Sequence, residues 1–153
     1  MLHFAYGSNM SRALMHRRCP QAKALGTASI SGWRFVITPD GFGSIARSAG
    51  SAVHGVLWRL TPRDLAAINA YESLDSGLYA RRILPVRHGS RRVPALLYIA
   101  RRRGEGRPRP GYMTVVIAAA RDWKMPERQL RLLKRWSPSA WKGARWKDTR
   151  DLG

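Results

Sequence analysis

Sulfur and acid are both scarce in this chain. A single cysteine, Cys19, excludes an internal disulfide and any metal site built from several thiolates. The four histidines (His3, His16, His54 and His88) are scattered, with neither an HxxxH nor an HxH pairing. No metal and no cofactor are therefore expected. No apolar run approaches the ~20 residues that a bilayer requires; the longest lies within MTVVIAAARDW. The N-terminus lacks a basic segment followed by a sustained apolar stretch, so no signal peptide is read and the expected location is the cytoplasm. The GxxxxGK[ST], GxGxxG, GxSxG and HExxH patterns are all missing, and with them the motif evidence for phosphate loops, dinucleotide binding, a serine elbow or zinc hydrolysis.

What is present is a globular composition. Apolar residues make up 44% of 153 positions, enough for one domain with one core. The formal charge is +19, and arginine outnumbers lysine 23 to 5. The arginines are spread along the whole chain. Net charge of this kind favours polyanions but by itself names no partner.

The chain then divides into short elements. LHFAY reads as a first strand. Residues 11–18 read as a short helix capped by Ser11 and ended before Pro20. ISGWRFVIT, GSIARS and AVHGVLWRL read as three strands, the last two parted around Ala49-Gly50-Ser51. Gly55 inside the last marks a bulge or a close backbone approach. TPRDLAAINAY has a helix start, with Thr61 as cap, Pro62 in the first position and Asp64 in the first turn; Leu65, Ile68 and Ala66 or Ala70 are expected on one face. ARRILPVRH and RVPALLYIA form a hairpin around Gly89-Ser90. A charged Pro/Gly connector leads to two helices broken at Pro126. Sequential strands with short turns argue for a mixed or antiparallel sheet curling into a barrel, an α+β fold with flanking helices.

Of the nine acidic residues only three are glutamates. Glu105 lies among arginines and reads as a solvated counter-charge. Glu127 complements the dipole at a helix start. Glu72 follows a helix and precedes the loop Ser73–Gly77. It suits either an exposed helix end or a partly buried carboxylate with a raised pKa that moves protons near neutral pH. Near the N-terminus, FAYGSNMSR sets a tight polar turn directly after an apolar strand. Such a turn is either a plain surface loop or one that offers backbone N–H groups to an anion.

These segments together resemble the γ-glutamylcyclotransferase family, over roughly residues 2 to 137. Tyr6-Gly7-Ser8-Asn9 is similar to the family's YGSN loop. Glu72, Gly77 and Tyr79 fill a segment of the form E-x-x-x-x-G-x-Y, with Glu72 at the place of the catalytic glutamate. Pro108 to Tyr112 is similar to the Pro–Tyr stretch that leads into a helix. Ser73 departs from the glycine often found after the glutamate. The resemblance implies a small mixed β-barrel with helices outside it, and an intramolecular reaction. The substrate's own α-amine attacks its γ-glutamyl carbonyl, giving 5-oxoproline and a released amine. Glu72 is then the acid and base. Backbone N–H groups of Gly7, Ser8 and Asn9 hold negative charge, and Tyr6, Tyr79 and Tyr112 line the pocket. On composition alone, Tyr6 suits the core equally well, Tyr79 a strand pleat and Tyr112 an aromatic staple. Arg47 or another arginine is available for the substrate carboxylate, Asp75 reads as a turn residue or a helper, and Cys19 as a small buried hydrophobe. The partner expected is a small γ-glutamyl compound, a γ-glutamyl amino acid or amine. The YGSN reading fits the glutathione-specific branch, whose loop is typically YGSL, less well.

A second reading places the work in the basic tail. Residues 1–137 form the expected domain, and residues 138–153 the tail. Trp136, Trp141 and Trp146 recur among lysines and arginines. Such a tail either packs back on the domain or binds single-stranded nucleic acid or an anionic surface.

Overall fold

The computed structural model describes residues 1–72 and 77–137. Five strands close into a barrel: β1 (Leu2–Ala5), β2 (Lys23–Ile37), β3 (Gly43–Arg59), β4 (Tyr79–His88) and β5 (Arg91–Ala100). The ring runs β1-β3-β2-β4-β5. All pairs are antiparallel except β1 with β5, which meet in parallel where His3 faces Leu96. The expected mixed barrel is therefore what forms, with four α-helices around it among the described residues: α1 (Arg12–Arg18), α2 (Pro62–Tyr71), α3 (Tyr112–Asp122) and α4 (Glu127–Lys134). None of the described helices is long and apolar enough to cross a membrane.

Local chemistry explains most boundaries. The Ser11 hydroxyl accepts from Leu14 N–H at 3.3 Å, and the Thr61 hydroxyl from Asp64 N–H at 3.2 Å. Each cap stabilises its helix by about 1 kcal/mol. Gly89, at φ +63°, turns β4 into β5, and the two prolines face each other as Pro85↔Pro94.

Three sequence expectations need correction. β2 begins at Lys23, seven residues before the apolar stretch that announced it. Its first half pairs with β3 through a register shift between Ala24 and Gly26, which hides the alternation. The segments GSIARS and AVHGVLWRL belong to one 17-residue strand, because β3 runs unbroken through Ala49–Ser51. Finally, the buried face of α2 is Asp64, Ile68 and Tyr71, whereas Ala66 and Ala70 are exposed.

Gly55 is a close approach. A Cβ there would lie 2.3 Å from the Ala5 carbonyl oxygen and 2.8 Å from the Phe4 ring, so only glycine lets β1 lie against β3. That contact fixes the end of β1, from which the Tyr6–Asn9 loop departs. Phe4, Val53, Val56, Leu57 and Leu97 fill the core around it. The loop itself is a single 3₁₀ turn over Ser8–Met10, pinned from outside by α3. Trp123 Nε1–H donates to the Met10 carbonyl at 2.8 Å, and the Arg12 guanidinium stacks 3.6 Å over the same indole while pairing with Asp122. Trp136 packs against the core, partly buried. Trp141, Trp146 and the rest of the tail from residue 138 lie outside the described residues, as do Ser73 and Asp75.

Candidate active site

Strand β1 ends where helix α2 also ends, and that coincidence brings Glu72 to the loop. Glu72 is the residue after α2, half-buried. The Asn9 side-chain amide donates to Glu72 Oε1 at 3.3 Å across 63 residues of sequence. Asn9 is held in turn. Its Oδ1 accepts from Arg18 Nη1, the same nitrogen donates to Ser8 Oγ at 3.3 Å, and the Arg18 guanidinium stacks 3.7 Å over Tyr71. Ser8 and Asn9 are buried, at 6% and 5% exposure.

Glu72, the Tyr6–Asn9 loop, Tyr79 and Tyr112 all line one cleft. It is a slot, with about 30 Å³ in which the centre of a water-sized sphere fits. The seven residues that the family resemblance assigned to the site, Tyr6, Gly7, Ser8, Asn9, Glu72, Tyr79 and Tyr112, are therefore brought together. Residues that no sequence pattern announced also line the slot: His3, Phe42, Gly43 and Tyr98.

The tyrosines hold the backbone of one glycine. Tyr79 O–H donates to the Gly43 carbonyl at 2.8 Å, and Gly43 N–H donates to the Tyr112 hydroxyl at 3.0 Å. The Tyr112 hydroxyl is wedged between two glycines. A Cβ on Gly7 would sit 2.8 Å from it, and one on Gly43 2.7 Å. Tyr6 O–H donates to the Tyr98 carbonyl, and Tyr98 O–H to the Asn69 side-chain oxygen. Burial first, and then the negative charge of Glu72, push both the Tyr6 and Tyr98 hydroxyls above the usual phenol range. Tyr6 thus stays protonated and committed to a carbonyl, a brace for the site rather than a proton carrier.

His3 has no sequence signal, because a lone histidine on an apolar strand reads as core. Its Nδ1 lies 3.0 Å from the Leu96 carbonyl, which as an acceptor requires the proton on Nδ1. Its Nε2 is buried with no hydrogen-bond partner among the described residues. Burial lowers its pKa to about 4, against a usual 6.5. The unfolded chain therefore binds a proton between these values that the folded chain refuses. Acidification from pH 7 to pH 5 should then cost about 2 kcal/mol of stability through His3 alone. Urea denaturation at the two pH values checks this: His3→Phe should lose less on acidification than the parent chain, and parallel losses would remove His3 as the cause.

Arg47 is not in the slot. It lies over the Trp33 ring in a separate groove. The arginine nearest the loop is Arg18, on the last turn of α1. Cys19 is buried at 1% exposure and its thiol pKa is pushed up to about 12 by burial, so it is the inert small hydrophobe expected of it.

A sequence model of the family described as "Gamma-glutamyl cyclotransferase, AIG2-like" matches residues 3–125. The chain belongs to this family. It is 24% identical to the γ-glutamylcyclotransferase of Mus musculus, over 93% of this chain and 81% of that protein. To the γ-glutamylcyclotransferase of Homo sapiens it is 23% identical, over 99% of this chain and 86% of that protein. A solved structure named gamma-glutamyl cyclotransferase superposes with a TM-score of 0.86 at 22% identity, covering 99% of this chain and 96% of its own. YkqA of Bacillus subtilis superposes with a TM-score of 0.76 at 21% identity, covering 96% of this chain and 56% of its own. These superpositions show the γ-glutamylcyclotransferase fold, and within it the slot lies at the ends of β1 and α2.

Proposed function

We propose that this chain is a γ-glutamylcyclotransferase that converts a γ-glutamyl amino acid or amine to 5-oxoproline, with Glu72 as the group that moves protons. The observation that carries the reading is the contact between Glu72 Oε1 and Asn9 Nδ2, which puts a carboxylate beside the loop in one slot.

The reaction asks little of the protein because the nucleophile belongs to the substrate. Glu72 takes a proton from the α-ammonium. The freed amine attacks the γ-carbonyl carbon and forms the ring C–N bond. The tetrahedral oxyanion is stabilised by N–H donors, for which the backbone of Gly7 to Asn9 is the candidate. Collapse breaks the bond to the leaving nitrogen, which receives the proton from Glu72, and the regenerated carboxylate takes the extra proton from the ring nitrogen, leaving a neutral lactam. Asn9 orients the carboxylate, and Arg18 orients Asn9. A narrow slot favours this chemistry, since holding the chain bent for ring closure supplies on the order of 7–11 kcal/mol of the barrier in well-oriented intramolecular cases. Tyr6, Tyr79 and Tyr112 keep the walls in place and present ring faces and hydroxyl oxygens to the substrate.

A panel of γ-glutamyl compounds tests the reading: γ-glutamyl amino acids, γ-glutamyl amines and glutathione, each assayed for 5-oxoproline. Release from at least one γ-glutamyl amino acid or amine, with glutathione a poorer substrate, is the expected result. No 5-oxoproline from any member would overturn it.

A further inference from the structure

Away from the slot, a second and larger groove opens between the β2–β3 and β4–β5 hairpins. It holds about 500 Å³ in which the centre of a water-sized sphere fits, against about 30 Å³ in the slot. Arg47, Arg82, Arg102 and Arg103 all line it, and none of its lining residues is a carboxylate. These arginines come from three parts of the chain: β3, β4 and the connector after β5.

The groove is organised around one buried indole. Trp33 of β2 is 6% exposed, and two guanidinium groups attend its ring, Arg47 at 4.8 Å and Arg82 at 5.9 Å from the centroid. Cation–π attraction fixes both heads in place, and fixing two like charges on one ring raises the local positive potential. Of the four groove arginines, Arg102 pairs with Asp40 at 3.1 Å, whereas Arg47, Arg82 and Arg103 have no carboxylate within ion-pair distance among the described residues. Thr38 lies at the groove wall, buried, with its hydroxyl oxygen accepting from the Asp40 and Phe42 N–H groups, so its own proton is left to donate. Guanidinium forks match the oxygens of phosphate in pairs, and a concave site with several such forks selects a multiply charged anion over a single charge.

We propose that this groove is a binding site for a compact oligophosphate anion. It is separate from the catalytic slot, although consecutive residues, Gly43 and Ser44, line the two cavities. The inference does not depend on the cyclotransferase reading.

Calorimetric titration of the full chain with inorganic tripolyphosphate, and in parallel with ATP, tests it at fixed ionic strength. The expected result is one site per chain. The double variant Arg47→Gln/Arg82→Gln should weaken it at least tenfold, Arg103→Gln should weaken it less, and Arg128→Gln/Arg135→Gln should leave it within twofold. Equal affinity for the two probes assigns the free phosphate chain as ligand, and tighter ATP binding assigns a nucleotide. Glu72→Gln should bind tripolyphosphate as the parent does, so a loss of turnover and a loss of this site are read apart. The substituted arginines are exposed, and an unchanged melting temperature verifies that the variants fold. Absence of a one-to-one complex would overturn the proposal. So would equal weakening by the Arg128/Arg135 pair, which would mean that diffuse positive charge does the binding.

Discussion

Glu72→Gln should leave the barrel folded and reduce 5-oxoproline release by about 10²–10⁴-fold, the usual contribution of a positioned acid–base group. The amide keeps the shape of the side chain and can still meet Asn9, but it cannot take a proton from an ammonium. Glu72 is half-buried at a helix end and carries no core packing, so the melting temperature should move by no more than a few degrees. The loss should fall on kcat more than on KM, because the missing proton transfers belong to the transition state. Full activity of Glu72→Gln on a substrate that the parent cyclises would remove this residue from the mechanism and leave the family assignment standing.

The second large effect is expected at Gly7, and it separates backbone from side chain. Ser8→Ala removes one hydroxyl that accepts from Arg18, and kcat/KM should fall less than tenfold. Gly7→Val adds a branched Cβ where the Tyr112 hydroxyl already sits 2.8 Å away. That hydroxyl has nowhere to go, since it is buried and receives the Gly43 N–H, while Gly43 is held from its other side by Tyr79. The loop must shift instead. A displacement of about 1 Å in a positioned site costs on the order of 10²-fold in rate. Steady-state kinetics on both variants check the order. If Ser8→Ala were the more damaging, the Ser8 hydroxyl and not the loop backbone would be the working part.

Gly7 also shows where the sequence was informative and where it was not. The glycine itself was legible as part of a tight polar turn that offers backbone N–H groups. What approaches it is a tyrosine from a helix more than a hundred residues later, and no local pattern carries that. Glu72 was legible only because the loop, the Gly77–Tyr79 spacing and the Pro108–Tyr112 stretch agreed with one another; alone it reads as a frayed helix end. Arg18, His3 and Gly43 had no such company. Arg18 reaches Asn9 by tertiary folding, and the buried Nε2 of His3 is visible only once β1 is seen between β3 and β5. Among the elements, the caps Ser11 and Thr61 set helix starts through local hydrogen bonds and were readable. The length of β3 was not, because Ala49-Gly50-Ser51 has the composition of a turn, yet the strand runs on through it as a bulge where the pairing with β2 jumps from Ser31↔Ala52 to Trp33↔Arg47.

The parallel pair between β1 and β5 has a consequence for synthesis on the ribosome. The four residues of β1 leave the exit tunnel before the rest of the barrel, yet their partners are the far end of β3 and the middle of β5. The loop that follows β1 faces Glu72 and Tyr112, so a nascent chain that has not yet reached Tyr112 contains no complete cleft whatever its state of folding. The strand β1 is thus made early and put to use late. It waits, with its edge unpaired, until the strand that closes the ring has been translated.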